Sequence, residues 1–177
     1  LIMGSDPRVA VNQIKTEGEC LRMLLESHLV GFPSVIDWAD NWIAVLDDPP
    51  IELIEVSMSR RRGYDLANLL SEIPGVADVA QMWRMLMGQL VQILVESPDC
   101  DRAGARALYQ WAIVDCVPFP GARDHMFQFD DALELAVDGV FGDCGSVRLE
   151  MLNFLRDCAS ETATMSEMPV ASRRNRS

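Results

Sequence analysis

The chain has 177 residues, of which 49% are hydrophobic and 24% charged, ordinary values for a globular protein that exclude global disorder. This length suffices for one domain that folds without disulfides or bound metal. The net charge of −12 disfavours nucleic-acid binding, because phosphates would be repelled, although Arg60, Arg61, Arg62 and three arginines near the C-terminus are local exceptions. There is no basic segment followed by an apolar run at the start, so we expect a cytoplasmic protein.

The first part of the chain predicts an extended arm followed by two helices. Residues 1–13 carry Pro7 and little pattern, which favours the arm. The first helix is expected to begin at Thr16, because Glu19 supplies the other half of a capping box. Ser34 is expected to cap the second helix, whose apolar residues recur at helical spacing: Val35, Trp38, Ala39, Trp42 and Leu46.

Two shorter helices are predicted next. Asp48 followed by Pro49 indicates a helix start, since proline at the first helical position gives up no hydrogen bond. This third helix should cover residues 49–60, and its inward-facing side chains are expected to be Ile51, Ile54 and Met58. Gly63 then separates it from a fourth helix over residues 64–73.

The stretch from Val76 to Glu96 has the longest helical pattern in the chain, and we predict that the other helices pack around it. Apolar residues cover most of its circumference, and a helix of this kind needs neighbours on several sides. Its polar residues form a narrow strip that should face solvent: Asp78, Gln81, Gln89, Gln92 and Glu96. The charges within the stretch argue against insertion into a membrane.

The second half predicts three more helices. The run from Ser97 to Asp99 begins a sixth helix that should bury Leu108, Trp111 and Ala112. A loop over 118–123 precedes a seventh helix, and Ser146 is expected to cap an eighth. The stripe of the seventh helix comprises Phe129, Ala132, Leu133, Ala136, Val137 and Val140.

Together these elements predict an all-α fold. We expect a single-domain bundle of seven or eight helices over residues 14–159, packed around a central helix at about 76–96. Residues 160–177 have no apolar stripe and are expected to form a mobile tail.

The chain carries no recognisable metal or cofactor motif. Its five cysteines are widely separated and include no CxxC pair, so we expect free thiols, no metal and no cofactor. Carboxylate pairs occur at helical spacing, but each lies opposite an apolar stripe and should point to solvent. No phosphate-binding loop, dinucleotide glycine pattern or calcium loop is present.

Clustered acidic residues are the main functional signal. Six of them lie within residues 37–55 with no basic residue among them: Asp37, Asp40, Asp47, Asp48, Glu52 and Glu55. A second zone has only Arg123 as a base and contains Asp115, Asp124, Asp130, Asp131, Glu134, Asp138 and Asp143. If the two zones share a face, they would attract a basic protein partner and speed its association. The alternative is an acidic surface with no partner.

A second hypothesis places function in the loop over residues 118–125. It is a small-ligand-binding protein or an enzyme that uses Phe119, Asp124 and His125 beside a pocket lined by methionine and tryptophan. It requires a cysteine or carboxylate within hydrogen-bond reach of His125. Otherwise His125 is a surface residue and the tryptophans are core residues. The apolar excess leaves a homo-oligomeric scaffold as a third hypothesis.

The segment from Asp37 to Glu55 carries a resemblance. Its runs Asp37-Trp38-Ala39-Asp40 and Asp47-Asp48-Pro49-Pro50 resemble a segment of small helical bacterial proteins, which include immunity-type proteins that neutralise toxins. The resemblance implies an all-helical, non-enzymatic protein that binds a toxin or another protein, and it transfers no catalytic residue. The sequence thus predicts an acidic, immunity-like module that occludes a basic partner surface.

Overall fold

Helix α5, over Val79–Glu96, is the element around which the chain packs. A computed structural model describes residues 7–59, 64–113 and 117–160. Asp78 caps α5 by accepting a hydrogen bond of 2.9 Å from the backbone N–H of Gln81. One broad face of α5 is buried, through Met82, Trp83, Leu86, Met87, Leu90 and Leu94. The predicted polar strip is exposed along its whole length, so the predicted central helix is confirmed with a start three residues later.

Seven further α-helices lie in the described residues, and no strand does. They are α1 (Pro7–Glu26), α2 (Phe32–Val45), α3 (Ile51–Ser57), α4 (Tyr64–Glu72), α6 (Asp101–Ile113), α7 (Ala122–Val137) and α8 (Cys144–Ser160), with a single 3-10 turn over Pro98–Cys100. The predicted all-α bundle of seven or eight helices is therefore confirmed. None of the described helices is long and apolar enough to cross a membrane. Apart from Ser160, the predicted tail lies outside the described residues.

Two hydrophobic clusters hold the helices together. The larger one joins α5 to α6, α7 and α8, and α1 adds Cys20, Met23 and Leu24 to it. The smaller one joins α2, α3 and α4, and α1 adds Ile14 and Leu25. Helix α1 therefore belongs to both clusters, whereas α2 and α3 pack only on the smaller one.

The start of the first helix was wrongly predicted. The expected arm over residues 1–13 is helical from Pro7, where α1 begins, and residues 1–6 lie outside the described part of the chain. Thr16 is buried within α1, where its hydroxyl donates to the carbonyl of Asn12 at 2.7 Å. The same oxygen accepts from the backbone N–H of Asp78 at 2.9 Å. The capping-box pattern was misleading because a threonine within a helix can also bond to the carbonyl four residues earlier.

Helices α2 and α3 also differ from their predictions. Helix α2 begins at Phe32 after Gly31, so Ser34 is not its cap. In α3 the buried residues are Leu53 and Val56, whereas Ile54 is half-buried and the other two predicted inward residues, Ile51 and Met58, are exposed. Both sides of this short helix carry apolar residues, and its contacts with α2 and α4 decide which side is buried.

The boundaries around α8 were also predicted imperfectly. The buried stripe of α7 ends before Val137, and both Val137 and Val140 are exposed because the helix stops ahead of Gly139, which has a φ of +66°. Asp143 rather than Ser146 starts α8. Hydrogen bonds from the hydroxyl and then the backbone N–H of Ser146 lower the pKa of the Asp143 carboxyl.

The carboxylate of Glu17 on α1 forms hydrogen bonds with two side chains of α2. Glu17 Oε2 accepts hydrogen bonds from Nε1 of Trp38 at 2.8 Å and from Nε1 of Trp42 at 2.7 Å. Its other oxygen accepts from Gln13 at 3.0 Å. Both indole rings are half-buried against the smaller cluster, as their helical spacing predicted. The ionised acceptor strengthens these bonds and sets how α2 lies on α1.

Cys20 should be unreactive in the folded protein. Burial, and secondarily the charge of Glu17, raise the pKa of its thiol to about 12, so almost no thiolate forms at about pH 8. We expect iodoacetamide to alkylate the exposed Cys144 and to leave Cys20 unmodified, as measured by mass spectrometry of peptides. Both thiols should react in denaturant. Equal labelling of the two in the folded protein would contradict this burial.

Candidate functional site

The six acidic residues of the 37–55 segment form what we call the acidic surface: Asp37, Asp40, Asp47, Asp48, Glu52 and Glu55. They lie on α2, on α3 and in the turn between these helices, and all but the half-buried Glu52 are exposed. Among the described residues, none of the six forms an ion pair with a basic side chain. Within this part of the chain, their negative charge therefore faces solvent without compensation.

Large apolar side chains are exposed on the same elements. Val45, the last residue of α2, is 67% exposed, while Ile51 and Met58 are 62% and 76% exposed. Ile51 and Met58 are seven residues apart, or about two helical turns, so they share one side of the α3 segment with Glu55. Ile51 and Met58 were predicted to face the core, because periodicity alone does not show which side of α3 is buried. Protein interfaces commonly combine exposed apolar side chains with polar ones at the rim.

Packed helices rather than a free loop position this surface. The hydroxyl of Ser57 donates a hydrogen bond to Asp40, which links α3 to α2. Beneath the acidic residues, Leu53 and Val56 of α3 are buried in the same cluster as Val35 of α2. The surface is therefore part of the folded core's outer layer.

The second acidic zone is partly neutralised. Asp130 is buried and lies 3.4 Å from Nη1 of Arg106, and Glu134 lies at the same distance from Nη2 of Arg102. These arginines lie on α6, too far away in sequence for the charge pattern to reveal them. Arg123, the one base predicted there, lies over the ring of Phe127 at 5.8 Å.

The remaining residues of that zone do not join it to the acidic surface. Asp124, Asp131 and Asp138 are exposed, Asp143 caps α8, and Asp115 lies outside the described residues. Helix α7, which carries most of the zone, packs on the larger cluster, whereas α2 and α3 pack on the smaller one.

The residues proposed for a loop-based site differ in burial, so they do not line one site. Phe119 lies in the larger core, while Asp124 and His125 are exposed. The His125 ring packs against Phe154, with centroids 5.9 Å apart, and borders a shallow groove that also contains Glu150. Within the described residues, no hydrogen bond or ion pair joins His125 to a cysteine or carboxylate, and no group of three or more potential ligands could hold a metal ion.

The methionine and tryptophan lining expected for a pocket is found elsewhere. A cleft between α1, the start of α5 and α6 is lined by Met23, Met82 and Trp111, and no residue of 118–125 lines it. Helix α5 carries three methionines, of which Met82 lines this cleft. The side chain of Met85 is half-buried at a smaller groove, and that of Met87 is fully buried.

Comparison with known proteins assigns no family. No protein-family model, curated protein or solved structure matches this chain. The resemblance of residues 37–55 to immunity-type proteins stays a prediction.

Proposed function

We propose that this protein is a non-enzymatic binding module that occludes a basic surface of a partner protein through its acidic surface. One observation carries this proposal. Six carboxylates that have no ion pair among the described residues lie on the same segment, residues 37–58, as three exposed apolar side chains. A nucleic-acid partner would be repelled by these carboxylates, whereas a basic protein would be attracted.

The two kinds of side chain would contribute differently to binding. Carboxylates at the rim of an interface attract an oppositely charged partner and raise the association rate, an effect that salt screens. Val45, Ile51 and Met58 would supply apolar area that is removed from water once the partner is seated, which slows dissociation. The resemblance to immunity-type proteins favours a toxin as this partner.

Reversing three charges of the acidic surface should weaken binding. The test variant carries Asp47→Lys, Asp48→Lys and Glu55→Lys, all at exposed positions. We expect the affinity for a partner captured from the native host to fall at least about tenfold, mostly through the association rate, and the wild-type affinity to fall as salt rises. Calorimetry and stopped-flow mixing at low and high salt would measure both effects.

A matched variant separates local charge from total charge. Asp124→Lys, Asp131→Lys and Asp138→Lys change the net charge equally at exposed positions on or beside α7. This control should retain close to wild-type affinity. If both variants lose the same affinity, or if binding ignores salt, the acidic surface is not the binding site.

A further inference from the structure

A cleft of about 430 Å³ opens between α1, the segment leading into α5, and α6. Its apolar lining comprises Met23, Ala77, Val79, Met82 and Trp111, and its polar lining comprises Lys15, Glu19, Arg22, Glu26, Ser27 and Gln110. This volume lies within the range of small-molecule sites, which combine an apolar wall with a few polar groups. None of its lining residues belongs to the acidic surface, so the proposed function leaves the cleft unexplained.

Two basic side chains are fixed along one wall of the cleft. Lys15 Nζ lies 2.7 Å from Oε1 of Glu19, and Arg22 Nε lies 2.8 Å from the other oxygen of the same carboxylate. Arg22 Nη1 also bonds both oxygens of Glu26, at 2.9 and 3.0 Å. The Lys15 and Arg22 side chains are only 13% and 30% exposed. These bonds hold both cations in place before any ligand arrives, which reduces the entropy lost on binding.

The ion pairs also determine the charge state of this wall. Burial alone would raise the pKa of Glu19, but hydrogen bonds from Lys15 and Arg22, together with their positive charges, outweigh it and lower the pKa. Glu19 therefore stays ionised at neutral pH. Both of its oxygens, and both of those of Glu26, already accept hydrogen bonds or ion pairs from the two cations.

The hydrogen-bonding capacity that remains belongs mainly to donors. Lys15 has three donor hydrogens, and its partners are Glu19 and the carbonyl of Ser71 at 2.7 Å. Arg22 has five, and those on Nη2 have no partner among the described residues. Ser27 accepts from the Trp111 indole at 2.9 Å, which leaves its own hydroxyl hydrogen to donate. A ligand with acceptor atoms would complement this wall.

We infer that the cleft binds a small organic anion, whose apolar or aromatic body lies on the methionine and tryptophan side and whose carboxylate or sulfonate meets the basic side chains. Met23 and Met82 are flexible and polarisable, so they can adapt to a ring placed beside Trp111. Arg22 keeps the two hydrogens of Nη2 for such an anion, and Lys15 keeps one of its three hydrogens. The carboxylates of Glu19 and Glu26 do not exclude such a ligand, because both are neutralised by the same two cations.

The first test uses 1-anilinonaphthalene-8-sulfonate, an aromatic sulfonate, with the folded full-length protein. We expect saturable one-to-one binding by fluorescence and calorimetry. Val79→Phe, at the edge of the cleft, should weaken it about tenfold, the equivalent of about 1.4 kcal/mol. Val95→Phe makes the same change at an exposed position of α5 that does not line the cleft, and should leave binding unchanged. Both variants should unfold at the wild-type temperature.

The second test isolates the charged half of the site. Arg22→Gln should weaken the sulfonate probe about tenfold and leave N-phenyl-1-naphthylamine, the uncharged analogue, unaffected. Arg102→Gln, which removes an exposed ion pair with Glu134, should affect neither probe. The inference is overturned by an absence of saturable binding, by equal effects of the two valine variants, or by equal loss of both probes in Arg22→Gln. These variants leave the acidic surface intact, so failure here would not bear on partner binding.

Discussion

Replacing Trp83 with alanine is expected to lower the free energy of unfolding by about 3 to 5 kcal/mol. Trp83 is fully buried on the inner face of α5, near the start of the helix, and its ring meets that of Trp111 edge to face with centroids 6.5 Å apart. Alanine would leave a cavity within the larger cluster. Denaturant titration followed by circular dichroism would measure the loss.

Two companion variants make this result specific. The Trp83 indole N–H is buried without an acceptor among the described residues, a cost of about 1 to 3 kcal/mol that phenylalanine would not carry. Trp83→Phe should therefore destabilise the protein much less than Trp83→Ala. Val95→Ala, at an exposed position of the same helix, should change stability by no more than about 0.5 kcal/mol. If Trp83→Ala is as stable as the wild type, α5 is not the centre of the core.

Replacing Glu17 with leucine is expected to cost about 2 to 4 kcal/mol. The carboxylate accepts from two indoles at once, so its removal leaves Trp38 and Trp42 without their charged acceptor while both rings remain half-buried. Glu17→Gln retains an acceptor oxygen but loses the charge, so it should cost less. Thermal and chemical denaturation of both variants would rank them.

A double-mutant cycle tests whether the indole contact itself carries this cost. Trp42→Phe removes one of the two donors and keeps most of the ring. Its effect on stability should be clearly smaller in the Glu17→Leu protein than in the wild type, because the acceptor is already gone. Additive effects would mean that Glu17 stabilises α1 by some other route.

Buried faces could be predicted from sequence in helices whose pattern allows only one buried orientation. The polar strip of α5 was predicted in full because apolar residues cover most of the rest of that helix and only one orientation exposes the strip. The inner residues of α6, such as Leu108 and Trp111, were predicted for the same reason. Helix α3 has apolar residues on two sides. Which side is buried depends on its packing against α2 and α4, and this cannot be read from the periodicity of the sequence.

The candidate sites were predictable only where neighbours in sequence are neighbours in space. The acidic surface is a run of 19 residues, so counting charges located it, but the exposed apolar residues beside it depended on the orientation of α3. The arginines that neutralise Asp130 and Glu134 lie 24 and 32 positions away in sequence. The cleft combines Lys15 of α1 with Trp111 of α6, and no local pattern joins residues so far apart.

Helix α1 packs in both hydrophobic clusters, which should link the unfolding of one cluster to that of the other. Ile14 and Leu25 belong to the smaller hydrophobic cluster, and Cys20 and Leu24 belong to the larger one. Detaching α1 would therefore expose apolar surface of both clusters. We therefore expect the described helices to unfold together in a single transition. Substitutions of Trp83 and of Glu17, which stabilise different clusters, should therefore shift the same unfolding midpoint.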